Sequence, residues 1–121
     1  MTHTSMEATR GTATSERLWP VLFCLTMTEA EEAIRDRDFI HPLLFRGIRR
    51  MIEEARTAVV CLEIFCHDAI TSIWVNMRSD DVPYALEAAM SWRIDREDYE
   101  DCSEIQRLTS DWNRYASEIN K

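Results

Sequence analysis

Ala58–Met77 reads AVVCLEIFCHDAITSIWVNM, and the folding of this stretch decides the class of the whole chain. On a helical template Ala58, Cys61, Leu62, Phe65, Cys66, Ala69, Ile70, Ile73, Trp74 and Met77 share one face, and all are apolar. Glu63, His67, Asp68, Thr71, Ser72 and Asn76 fall elsewhere, which is a 3.6-residue period. Val59, Val60, Ile64 and Val75 lie off the stripe, so such a helix would be covered on more than one side. The competing reading is a hairpin of Val59–Phe65 and Ile70–Met77, because Val, Ile, Phe, Thr and Trp favour strands. Its turn, Cys66-His67-Asp68-Ala69, has neither the Gly nor the Asn that short hairpin turns use. The spacing predicts the helix.

Composition points the same way. The chain has 121 residues with only two Gly and three Pro, too few for a sandwich or barrel built from many tight turns. Hydrophobic residues make up 45% and charged residues 30%, which excludes wholesale disorder and fits one domain. Residues 1–14 are polar and aperiodic and read as a flexible tail. In 15–27, Pro20 precedes the apolar run Val21-Leu22-Phe23-Cys24-Leu25, which suits a helical turn or a strand equally. Thr28-Glu29-Ala30-Glu31 has the pattern of a capping box, opening a helix over about 29–36. The next helix covers 38–56, capped by Asp38 or His41 with Pro42 in its first turn. Leu44, Ile48, Met51, Ile52 and Ala55 form its stripe. Another begins near Pro83 and turns Ala85, Leu86, Ala89, Met90 and Ile94 inward. The last spans about 98–119 with a seam of Cys102, Ile105, Leu108, Trp112, Tyr115 and Ile119. The expected architecture is an all-α, single-domain bundle of four to five helices over 15–121. The alternative is α+β with a hairpin at about 59–77.

The net charge is −8, with 22 acidic residues against 14 basic. That balance repels a phosphate backbone, so direct nucleic-acid binding is not expected. No apolar run is long enough to span a membrane. The polar start lacks the apolar segment of a secretory signal, so a cytoplasmic setting is expected. Cys24, Cys61, Cys66 and Cys102 have irregular spacing and apolar neighbours. They are expected as reduced, buried thiols with no disulfide.

Among residues that carry chemistry, His41 precedes the pair His67-Asp68 by 26 positions. This pattern loosely resembles the helical HD phosphohydrolase family over those three residues. That family holds a metal with a His on one helix, an adjacent His-Asp on the next, and a later Asp, for which Asp95, Asp98 and Asp111 are equal candidates. The resemblance implies a metal site at His41, His67 and Asp68. The chain is shorter than is usual in the family, and Ala69 and Ile70 stand where a Gly often follows the pair. A zinc site from Cys61, Cys66, His67 and Cys102 lacks a recognised ligand spacing. Glycine-dependent enzyme motifs are excluded, because Gly11 and Gly47 are the only glycines.

Two charge features remain. Arg46, Arg49, Arg50 and Arg56 form a basic group that suits phosphate or an acidic partner, or, more commonly, pairing with Glu53, Glu54 or a neighbouring acidic helix. Asp95, Glu97, Asp98, Glu100, Asp101 and Glu104 form an acidic strip, and Glu29, Glu31, Glu32, Asp36 and Asp38 form another. The four tryptophans Trp19, Trp74, Trp92 and Trp112 are core residues unless exposed, in which case they mark contact sites. The expected function is non-catalytic. It is that of an acidic protein that binds a partner with a basic surface, such as a nucleic-acid-binding protein, as an inhibitor, immunity or anti-defence factor in a phage or bacterial setting. Its expected contact residues are Asp95, Glu97, Asp98, Glu100, Asp101, Glu104, Trp112 and Tyr115, with no cofactor. The alternatives are the metal-dependent phosphohydrolase, and a homo-oligomeric structural subunit, such as a homodimer, joined through the C-terminal seam.

Overall fold

The computed structural model describes residues 19–119, so the polar tail expected over 1–14 lies outside the described residues. The elements run β1 (Val21–Cys24), α1 (Met27–Arg35), α2 (Arg37–Glu54), β2 (Ala58–Cys66), β3 (Thr71–Arg78), a 3-10 turn at Ser79–Asp81, α3 (Val82–Asp95) and α4 (Tyr99–Ile119). The strands make one sheet in the order β1-β2-β3. The expected all-α bundle is therefore corrected to α+β. The stretch 58–77 is a hairpin and not a central helix.

The reason lies in how β2 is covered. Leu62, Ile64 and Cys66 on one face are fully buried, and Val59 and Cys61 on the other are buried too. A strand with apolar residues on both faces reads as a continuous run and satisfies a helical period by accident. The turn between β2 and β3 is made without glycine. The Ile70 amide donates to the His67 carbonyl at 3.3 Å, and Ile70 takes φ 47°, a left-handed conformation that is costly for a β-branched side chain. Consecutive strands joined by so short a turn must pair antiparallel.

β1 pairs parallel to β2, with Val21 opposite Glu63, Leu22 opposite Ile64, Phe23 opposite Phe65 and Cys24 opposite Cys66. A parallel pair needs a long crossover, and α1 and α2 supply it. Pro20 stands just before β1, where its missing amide costs no ladder bond, and its carbonyl accepts from the Glu63 amide at 3.1 Å.

The helix starts are chemically specific. α1 begins two residues earlier than expected. Thr26 is its N-cap, accepting from the Glu29 amide at 3.1 Å, while Glu29 Oε1 accepts from the Leu25 amide at 2.7 Å. Asp36 opens α2, its Oδ1 accepting from the Asp38 and Phe39 amides at 3.1 and 3.3 Å. Pro83 falls in the first turn of α3, as the sequence suggests.

Two helix ends close in the six-to-one pattern that normally places glycine in a left-handed conformation. The Arg56 amide reaches the Met51 carbonyl at 2.9 Å past Ala55, whose φ is 55°. The Asp98 amide reaches the Arg93 carbonyl at 2.9 Å past Glu97, whose φ is 57°.

The described chain divides into two units, 19–43 with 60–76 and 44–59 with 77–119. The first buries Val21, Leu22, Cys24, Ala30, Ile40, Leu43, Cys61, Leu62, Ile64 and Cys66. The second buries Phe45, Ile48, Met51, Val59, Met77, Val82, Leu86 and Ala89, together with the α4 seam Cys102, Ile105, Leu108, Trp112 and Tyr115. Of the expected α4 seam only Ile119 is exposed. All four cysteines are free and buried. Among the described residues no helix is long and apolar enough to cross a membrane.

Candidate functional site

The first unit carries a sheet face of unusual composition. Side chains alternate across a strand, so the register fixes which residues share a face. Leu22, Cys24, Ile64 and Cys66 point into the core. Val21, Phe23, Glu63 and Phe65 take the opposite face, and Ser72 and Trp74 of β3 join it through the contacts below. Trp19, just before β1, completes it.

The aromatic rings on this face meet in pairs. Trp19 and Trp74 stand edge to face with centroids 5.7 Å apart, and Phe23 and Phe65 do the same at 6.0 Å. Glu63 is the charge among them. The Trp19 indole Nε1–H donates to its Oε1 at 3.3 Å, and the Ser72 hydroxyl donates to its Oε2 at 2.9 Å. The carboxylate is thus fixed in a partly buried position among rings.

The rings are not covered. Trp74 is 46% exposed and Phe23 41%, while Trp19 and Phe65 are half-buried. Where the turn of the hairpin meets the end of β1, the His67 and Asp68 amides donate to the Cys24 and Leu25 carbonyls at 2.9 and 3.1 Å. Leu25, Met27 and Ile70 are exposed there. A soluble surface seldom gathers large apolar side chains unless they meet something. Tryptophan in particular supplies much of the binding energy where proteins dock.

The residues expected to form the contact strip sit in the second unit, and several serve the fold itself. Trp112 and Tyr115 are only 4% and 9% exposed, their rings 5.3 Å apart, and the Tyr115 hydroxyl donates to the Arg56 carbonyl at 3.2 Å. The structure therefore places both in the core, because each falls on the inward seam of α4. Arg93, buried on α3, lies 3.4 Å from both Asp98 and Asp101, and Arg49 lies 3.4 Å from Glu104. Half of the strip is thus engaged within the chain, whereas Asp95, Glu97 and Glu100 are exposed. Partial burial raises the Asp101 carboxyl above its ordinary value, the adjacent Asp98 carboxyl adds to this, and the Arg93 guanidinium offsets it. Of the basic group, Arg50 and Arg56 both lie against Glu54, at 3.8 and 2.8 Å, while Arg46 is exposed.

The metal-ligand candidates do not converge. His41 is buried on α2, while His67 and Asp68 are exposed in the hairpin turn. Among the described residues no three His, Cys, Asp or Glu side chains gather where they could hold a metal ion, Cys61, Cys66, His67 and Cys102 included. Burial also raises the Cys24 and Cys66 thiols above their ordinary value, with the Cys66 thiol adding to the effect at Cys24 and Asp68 to that at Cys66. A raised thiol is a poor nucleophile.

Trp19 and Trp74 both belong to the aromatic set visible in the sequence, but no local pattern brings them together. They are 55 positions apart, and a helix over 58–77 would turn Trp74 and Phe65 inward. The signal that marks the face is the alternation of β3, where Ser72, Trp74 and Asn76 fall on one side. No family model, no curated protein and no solved structure matches the chain.

Proposed function

We propose that the protein acts by binding a partner protein, and that the aromatic face of the sheet is its docking surface. The observation that carries this reading is the exposure of Phe23 and Trp74 on one strand face, seated beside Trp19 and Phe65. Rigid rings on a sheet lose little side-chain entropy on contact, so they bind at low ordering cost. The net charge of −8 favours a partner with a basic surface, since opposite charges speed encounter. A cytoplasmic inhibitor or immunity factor, which works by occupying another protein's surface, is the class of role that suits these features. Asp95, Glu97 and Glu100 support it as a steering region and not as the contact itself.

The test is affinity capture from the native host with three forms of the protein. These are the natural chain, a Phe23→Ser/Trp74→Ser variant, and an Asp95→Lys/Glu97→Lys/Glu100→Lys variant. The reading expects a partner that is lost with the sheet variant and kept, with slower association, by the charge-reversed one. A partner kept by the sheet variant and lost on charge reversal would contradict it.

A further inference from the structure

We propose that the partner offers this face an arginine-bearing basic segment, with a guanidinium lying on the exposed ring of Trp74 beside Glu63 and apolar neighbours over Phe23 and Leu25. The inference rests on the reading of the face as a protein-docking surface and names what docks there.

Three observations support it. The rings are available, because Trp74 and Phe23 are both exposed and Trp74 is braced edge-on by Trp19, which fixes its orientation. A cation placed over an indole face is attracted by the ring's negative quadrupole, and tryptophan is the best of the aromatic partners. A carboxylate stands on the same face: Glu63 is held by Trp19 and Ser72, so its negative charge has a fixed position beside the rings. The surrounding charge has the same sign. The described part of this unit carries Glu29, Glu31, Glu32, Asp36, Asp38, Glu63 and Asp68 against Arg35 and Arg37.

Arginine is favoured over lysine on chemical grounds. The guanidinium is planar, weakly hydrated and able to lie flat on a ring, whereas an ammonium holds its water more strongly. The same pairing already occurs within the chain, where Arg93 and Arg96 lie 4.7 and 4.2 Å from the ring of Trp92. Aromatic residues on an open sheet also suit stacked bases of single-stranded RNA. Phosphates would then approach a unit whose described part carries seven carboxylates and two arginines, and this favours the basic peptide.

The experiment follows the indole Nε1–H signals of Trp19 and Trp74 by NMR in the full chain. The probes are a nine-residue peptide alternating Arg with Leu, its Lys and Gln counterparts, and an oligouridylate. The arginine peptide should shift both indole signals while leaving that of buried Trp112 in place. It should bind about threefold more tightly than the lysine peptide and about tenfold more tightly than the glutamine peptide at low salt. Trp74→Leu should bring arginine and lysine peptides to equal affinity. Glu63→Gln, which preserves the side-chain shape, should weaken the arginine peptide and leave the glutamine peptide unchanged. A glutamine peptide that binds the face as tightly as the arginine peptide would overturn this inference and leave the docking reading standing. An oligouridylate that shifts the Trp74 signal more strongly than the peptides would overturn both. No shift at either indole with the arginine peptide would also overturn the inference.

Discussion

Replacing Ile70 with glycine should stabilise the protein, and the size of the gain follows from the backbone. Ile70 has φ 47°, and its side chain is 80% exposed, so removing it forfeits almost no buried contact. A residue bearing Cβ pays roughly 1–2 kcal/mol in the left-handed region. Branching at Cβ puts isoleucine at the upper end of that range. Glycine gives back roughly 0.5–1 kcal/mol through the greater freedom of its unfolded chain. The net gain is therefore about 1 kcal/mol. For a folded chain of this size that corresponds to a rise in Tm of about 4–5 °C. Thermal melts and urea midpoints of Ile70→Gly beside Ile70→Val measure it, and the valine variant should match the natural chain, because it is equally branched. Were 58–77 a helix, glycine at this position would cost about 1 kcal/mol. A lowered midpoint for Ile70→Gly would refute the hairpin and the strain argument together.

The same reasoning extends to the two helix ends closed without glycine. Ala55→Gly and Glu97→Gly should each raise stability by about 0.5–1 kcal/mol, read from urea midpoints with an unchanged slope. Asp101 makes a prediction in pH. Its folded value is raised, so the folded chain binds its proton more tightly than the unfolded chain, whose ordinary value is 3.8. The resulting stability is full below that value and is lost as pH rises through the higher folded one. Asp101→Asn should therefore stabilise at neutral pH and have little effect near pH 3; a larger loss at neutral pH would show that the Arg93 contact dominates instead. The buried thiols should resist iodoacetamide at pH 8 in the native protein and all react in urea, and mass spectrometry showing rapid native labelling of Cys24 or Cys66 would contradict their placement.

What the sequence discloses differs between segments for physical reasons. The seam of α4 is legible because Cys102, Ile105, Leu108, Trp112 and Tyr115 are buried on one side of a helix whose other side is charged. A helix after Pro83 is equally visible. The segment 58–77 is not, because Leu62, Ile64, Val59 and Cys61 cover both faces of β2 and erase the two-residue alternation. The scarcity of glycine compounds the difficulty. It argues against turns, yet the chain places Ala55, Ile70 and Glu97 in the left-handed region where glycine is usual. The cap of α1 falls two residues earlier, at Thr26, and Glu29 reaches back to the Leu25 amide and not to the cap's own, so the reciprocal box does not form; two threonines offer alternative caps.

The candidate site was the least legible part. Its members come from 19–23, 63–65 and 72–74, and only the register of β1 on β2 and the return of β3 place them together. The acidic strip was visible because it is local. Yet Arg93 and Arg49 reach three of its carboxylates from other helices, and no local pattern discloses that.

The central claim is that the aromatic sheet face is where a partner docks, and hydroxyl-radical footprinting of the complex formed by capture tests it directly. Phe23 and Trp74 report on the face, while Tyr84 and Tyr99, both exposed in the second unit, serve as internal references. The account predicts that oxidation of Phe23 and Trp74 falls sharply on binding while that of Tyr84 and Tyr99 is unchanged. Protection of Tyr84 and Tyr99 with Phe23 and Trp74 still fully oxidised would contradict it.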